Sequence, residues 1–155
     1  MKIAVYCPNW IGDAIMAIPF IQELKKHNPK AKIFVICKSW VSGIFENHKL
    51  IDQIISISDN DLRSISGTIK AGLKLRTMEF DSAYTLTDSF RSAFVLWLSR
   101  SKKRFGYNTQ MRSFLLTDSK RLSHEIIHRS KKYLRLLGIY SNLMVYPKLY
   151  FTLSL

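Results

Sequence analysis

Short β-branched and aromatic runs alternate with longer amphipathic ones along this chain. That order predicts an α/β fold: a parallel sheet with helices on both faces, wound in the Rossmann-like manner. Three observations carry the prediction. The runs KIAVYC (2–7) and AKIFVIC (31–37) are apolar almost throughout, as strands buried on both faces are. A segment of helical period separates them. The same alternation then continues to about residue 139.

The elements follow in order. The first helix is predicted from about Asp13 to His27, because Ile15, Ile18, Ile21 and Leu24 recur every three residues. Glu23, Lys25 and Lys26 lie towards its polar end. Pro19 has no N–H to donate and predicts a kink; Asn28 and Pro29 stop the helix. A short helix capped by Ser39 leads to a strand at QIISIS (53–58). Asp59 or Asn60 caps a third helix over roughly 61–78. DSAYTLT (81–87) reads as a strand, and Asp88 or Ser89 caps a helix ending near Ser99. KRFGY (103–107) is a short strand. HEIIHRSKKYLRLLGI (124–139) is the last helix, with a buried stripe of Ile126, Tyr133, Leu134 and Leu137 and Gly138 as its C-cap. No internal repeat, low-complexity tract or clear linker interrupts the pattern.

At 155 residues and 47% apolar, the chain is one domain with a real core, which excludes disorder. No apolar run reaches the ~18–20 residues of a membrane span; the longest lies near Ala93–Leu98. The N-terminus lacks the build of a secretory signal, since only five residues separate Lys2 from Pro8. The expected location is cytoplasmic. Cys7 and Cys37 then read as reduced thiols that fill small core positions. The net charge of +13 is unevenly placed: residues 1–58 carry seven Lys/Arg against four Asp/Glu, residues 89–135 twelve against two. Such a field implies a polyanionic partner: nucleic acid, an anionic membrane surface or a phosphorylated substrate.

The turn in PNWIGDAIMAIPF (8–20) holds one glycine and one carboxylate, Gly12 and Asp13. Glycine allows a tight turn or close approach to a ligand. A carboxylate at a helix start is favoured by the helix dipole. At the carboxyl end of a strand, Asp13 is either a helix cap or a catalytic base. A dinucleotide site is not indicated, because G-x-G-x-x-G is absent. HEIIH (124–128) matches the zinc-protease pattern, with His124 and His128 as ligands and Glu125 as base. No His, Asp or Glu follows it, and Arg129, Lys131, Lys132 and Arg135 would repel a dication. It reads instead as part of a basic amphipathic helix with two surface histidines. In TDSFRSA (87–93), Ser89, Arg91 and free backbone N–H groups sit where an anionic ligand would bind; Arg91, and Arg112 on the following loop, can grip phosphate in a bidentate way. No helix-turn-helix spacing, aromatic–glycine RNA signature or zinc finger accompanies the basic segment.

NWIGDAIMAIPF, FDSAYTLTDSFRSAFV (80–95) and KRFGYNTQMRSFLLTD (103–118), in that order, resemble the bacterial ADP-heptose:lipopolysaccharide heptosyltransferases, and the N-W-x-G-D form is most similar to type II. The resemblance covers nearly the whole chain. It implies the amino-terminal half of a GT-B glycosyltransferase, whose two Rossmann-like domains flank a cleft. This half would hold a phosphorylated Kdo–lipid A core acceptor, and the other half ADP-heptose, in an inverting, metal-independent transfer that uses no cofactor. By the same resemblance Asp13 is the general base. Asn9, Trp10 and Gly12 shape the cleft loop. Ser89, Arg91 and Arg112 contact the acceptor, with Lys74 and Arg76 as further candidates. The basic segment becomes an acceptor-phosphate patch, peripheral on the cytoplasmic surface of the inner membrane, and nucleic acid is not expected. Two positions depart from the family pattern: Asp88 stands for asparagine and Arg91 for lysine. The expected division is an acceptor-binding domain at 1–140 and the start of an interdomain connection at 141–155, with the donor domain absent and the chain alone inactive. The rival expectations are a non-catalytic module for anionic glycolipid or membrane, and a nucleic-acid-binding protein.

Overall fold

A computed structural model describes residues 1–140 and 146–149. Six strands, all parallel, form one sheet: β1 (Lys2–Tyr6), β2 (Lys32–Lys38), β3 (Gln53–Ile57), β4 (Ser82–Thr85), β5 (Lys103–Tyr107) and β6 (Asp118–Lys120). Their order across the sheet is β3-β2-β1-β4-β5-β6. The helices are α1 (Ile11–His27), α2 (Asp59–Arg63), α3 (Ile65–Arg76), α4 (Phe90–Leu98) and α5 (Arg129–Leu136). The short helix expected after Ser39 is a 3-10 turn, Ser39–Ile44.

Strand periodicity divides the core in two. Ile3 and Val5 of the first strand and Cys7 just after it, with Ile33, Val35 and Cys37 of the second, face α1 and α5. Ala4, Tyr6, Phe34 and Ile36 face the opposite way, against Leu62, Leu75, Val95 and Leu96 of α2, α3 and α4. Both cysteines are free and buried among apolar side chains. Burial pushes the Cys37 thiol up to about 12 and the Cys7 thiol well above its ordinary value, so both act as packing groups.

Several expectations need correction. The helix expected over 61–78 is two helices. Ser64 is extended, and its Oγ accepts from the Gly67 N–H at 3.0 Å, while Ser58 Oγ accepts from the Asp61 N–H at 3.1 Å. Each serine offers the backbone a cap that competes with continuing the helix. The last helix starts at Arg129, not at 124. His124 and His128 therefore lie in the preceding loop, and Ile126 is fully exposed instead of buried. Among the described residues, no three His, Cys, Asp or Glu side chains converge as a metal site would need. At the other end the helix closes as expected. Gly138 (φ 79°) donates to the Arg135 carbonyl at 3.0 Å and Ile139 to that of Leu134 at 3.2 Å. The sixth strand was not expected, because DSK contains no apolar residue; only its pairing with β5 defines it. Of the segment 141–155, residues 141–145 and 150–155 lie outside the described residues. His48 Nε2 bonds the Lys148 carbonyl at 3.1 Å.

α3 and α4 meet at Gly72. A Cβ there would sit 2.5 Å from Leu98 Cβ and 3.2 Å from the Val95 carbonyl oxygen. The two helix backbones can lie this close only because Gly72 has no side chain. Gly72→Val is expected to lower stability by about 1–3 kcal/mol through overpacking, read as a fall in the urea midpoint.

Candidate functional site

Strand order alone locates the site. From β1 the chain winds one way to β2 and β3; β4, β5 and β6 lie on the other side of β1. The carboxyl ends of β1 and β4 therefore form a switch point, where open α/β sheets leave a crevice. A cleft of about 370 Å³ opens here. Tyr6 at the end of β1 and Asn9 after it, Lys38 at the end of β2, Ser89, Phe90 and Arg91 after β4, and Gln110 line it, with Leu62 as an apolar wall.

The β4–α4 turn is held by hydroxyls. Ser89 Oγ accepts from the Ser92 N–H at 3.2 Å and so caps α4. Ser92 Oγ in turn bonds Thr85 Oγ1 at 2.9 Å and the Ser89 carbonyl at 2.8 Å. Gln110 Oε1 accepts from the Phe90 N–H at 2.8 Å, so one of the expected free donors is already occupied. Arg91 differs from its neighbours. Its side chain is exposed on the cleft wall and makes no hydrogen bond or ion pair with the described residues. Burial pushes the Tyr6 phenol up to about 12, opposed by the Arg91 guanidinium, so Tyr6 can donate a hydrogen bond but is no base near neutrality.

The β1–α1 turn carries Asn9, Trp10, Gly12 and Asp13. The Asn9 carbonyl accepts from Trp40 Nε1 at 2.7 Å. Trp10 is 76% exposed and caps nothing with its side chain. A Cβ on Gly12 would meet no atom within 4 Å, so the fold itself does not demand glycine there. Asp13 is the third residue of α1 and makes no capping bond. Its Oδ1 lies 3.5 Å from Arg129 Nε at the start of α5, with the Asp13 side chain 22% exposed. Asp13 stands on the same edge of the sheet as Arg91 but on the α1–α5 side; Asn9, not Asp13, lines the cleft.

Three expected contacts are placed elsewhere. Arg112 is fully buried. Its Nε donates to the Tyr107 carbonyl at 3.0 Å and its Nη1 to the Ser89 carbonyl at 2.7 Å, so it braces the turn from within and does not face a ligand. Burial pushes its pKa down, with the Asp88 charge opposing. Lys74 and Arg76 lie at the carboxyl end of α3 and line two other grooves, away from the cleft. Asp88, the departure from the family pattern, is paired with Lys132 Nζ at 2.6 Å, so its charge does not stand bare beside the cleft. The expected single basic patch is also divided. Arg91 stands at the cleft, Arg112 and Lys132 are buried, and Arg100, Lys102 and Arg104 line a groove beyond α4.

Sequence reading missed Tyr6, Lys38, Trp40 and Gln110. Lys38 Nζ pairs with Asp59 Oδ1 at 2.6 Å and lies 4.8 Å from the centre of the Trp40 ring. A signal for the first three was available: each stands at or just past the carboxyl end of a strand that had been recognised. Gln110 offers no such signal.

The family model for glycosyltransferase family 9 (heptosyltransferase) matches residues 68–152. The chain belongs to this family. Lipopolysaccharide heptosyltransferase 2 of Escherichia coli K12 is 31% identical over 126 residues, spanning 81% of this chain and 36% of that protein. Lipooligosaccharide heptosyltransferase 2 of Haemophilus ducreyi is 32% identical over 122 residues, spanning 76% and 34%. The solved structure of E. coli ADP-heptose lps heptosyltransferase II superposes with a TM-score of 0.84 at 28% identity, covering 99% of this chain and 47% of that one. This family member thus spans about a third of the length of those curated relatives and corresponds to the amino-terminal half of a GT-B heptosyltransferase.

The contrast between two arginines is testable. Arg112→Ala is expected to cost about 3 kcal/mol, because it strips a buried, charge-assisted bond from each of the Tyr107 and Ser89 carbonyls. Arg91→Ala should leave stability within about 0.5 kcal/mol. Thermal denaturation of the two variants measures both.

Proposed function

We propose that this chain is the acceptor-holding half of a lipopolysaccharide heptosyltransferase, with the cleft at the β1/β4 switch point receiving an anionic inner-core glycan. The observation that carries this reading is Arg91: a guanidinium with no hydrogen bond or ion pair among the described residues, on the wall of an open crevice and in the first turn of α4. Both features favour a phosphate or carboxylate of the acceptor. Phosphorylated Kdo–lipid A core has that chemistry, and the names of the relatives point to lipopolysaccharide and lipooligosaccharide as the material acted on. Asn9 and the indole of Trp40, fixed by its bond to the Asn9 carbonyl, supply a polar and a flat apolar surface for sugar rings.

Asp13 is the base in this reading. It takes the proton of the acceptor hydroxyl as that oxygen bonds to the anomeric carbon of ADP-heptose. The bond from that carbon to the ADP oxygen breaks on the opposite face, so the configuration inverts and ADP leaves with the electron pair. Arg129 steadies one carboxylate oxygen, and the other makes no hydrogen bond with the described residues. ADP-heptose is the only co-substrate, and its binding belongs to the second domain. The 155 residues alone bind acceptor without transferring heptose. The setting is cytoplasmic, at the inner face of the inner membrane where a lipid-linked acceptor resides.

Titration with phosphorylated lipid A core oligosaccharide should give saturable binding, weakened about tenfold or more by Arg91→Ala, the loss of one charge-assisted contact. Asp13→Asn should bind as tightly as the parent. Salt-sensitive binding of mixed-sequence DNA with no glycan binding would overturn the assignment, and heptose transfer by the 155-residue chain would overturn the division between halves.

A further inference from the structure

α4 carries two surfaces. Ala93, Val95 and Leu96 point inward and are buried. Outward, Phe90, Phe94 and Trp97 form a ladder, with ring centres 6.2 Å and 5.9 Å apart. Phe114 extends it at 6.1 Å from Phe90. These rings are not waiting for another part of the described fold: Trp97 is 46% exposed and Phe114 70%. The neighbouring helix adds Ile65, Ile69 and Leu73, spaced four apart and all exposed.

The ladder ends in a groove of about 440 Å³ walled by Leu73, Trp97, Arg76, Arg100, Lys102 and Arg104. Lys102 is shared with Asp81 at 2.7 Å, and the Glu79 charge also acts on it. Arg104 turns inward, to the Leu115 carbonyl at 2.7 Å and that of Ser101 at 2.6 Å. Arg76 and Arg100 make no ion pair with the described residues.

We infer that this α3–α4 face docks on an anionic phospholipid bilayer, with the aromatic ladder in the headgroup–acyl boundary and Arg76 and Arg100 on lipid phosphates. Tryptophan and phenylalanine prefer that boundary, and unpaired cations beside them are drawn by its negative potential. No carboxylate lines the groove among the described residues, so its charge is of one sign, which suits a continuous anionic surface. The face also meets the cleft, since Phe90 belongs to both. The inference deepens the acceptor reading and rests on it for one point only: a lipid-anchored acceptor would reach the cleft from the surface on which the ladder lies.

Vesicle sedimentation tests it. The chain should partition onto phosphatidylethanolamine vesicles containing phosphatidylglycerol and far less onto phosphatidylcholine, with binding that weakens as salt rises. Trp97→Ser combined with Phe114→Ser should reduce partitioning about tenfold or more, as should Arg76→Glu combined with Arg100→Glu. All four side chains are on the surface, and unchanged melting temperatures would show that the variants fold. Arg91→Ala should still bind vesicles, which separates failure of this docking from failure of the acceptor assignment. Equal binding by parent and variants, or no binding at all, would overturn the inference. A dimer abolished by Trp97→Ser with Phe114→Ser would overturn it too, by giving the face to a second copy.

Discussion

The reversal of winding between β1 and β4 is the constraint on which everything else in this domain rests. Right-handed crossovers from a parallel strand must pass over one face of the sheet. The crossover leaving β1 passes over the α1 face, and α4, which follows β4, packs on the other. Nothing can then roof the edge between the two strands. The crevice is a by-product of connectivity, and the residues on its rim are the ones whose chemistry can be spent on a ligand.

Charge in this region is handled in two ways. α5 brings Arg129 to Asp13 and, less than one turn later, Lys132 to Asp88. Each pair neutralises a carboxylate at the end of a strand or the start of a helix. Arg112 is the costlier arrangement. Removing a guanidinium from water is expensive, and Nη2 remains without a partner among the described residues, as does Asp88 Oδ1. The return is positional: one side chain ties the β5 end, the 108–112 loop and the β4–α4 turn together. That loop is shaped by Gln110 and Met111, both at positive φ, which costs backbone energy but aims Gln110 at the amino-terminus of α4. Arg91 stays uncommitted because Arg112 and Gln110 already satisfy the groups around it.

Much of the fold was legible because buried parallel strands need apolar residues on both faces, and KIAVYC and AKIFVIC supply them without a gap. DSK was illegible for the same reason: an edge strand has no core to fill. The break at Ser64 is a contest between a local cap and continued helix, which composition alone does not decide. HEIIH failed as a helix although its pattern looked periodic, because no described element covers Ile126. Around the crevice, the positions of Asn9, Ser89 and Arg91 were legible because each follows a strand. Arg112 was not, because its basic side chain on a loop carries no mark of burial. Lys38 and Trp40 carried the mark of a strand end, but only the placing of β2 beside β1 brings them next to Asn9.

α4 has further weight beyond either surface. Its first turn closes the cleft through Ser89, Ser92 and Phe90, while its outer rings extend to Trp97. One helix thus sets the phase between two faces. Inserting a single residue would rotate everything beyond it by about 100°, burying the ladder's far end and turning core residues outward while the first turn stayed in place. The length of this helix is therefore as tightly bound as its composition. Drift in the chain can be absorbed by loops on either side of α4, but not by α4 itself.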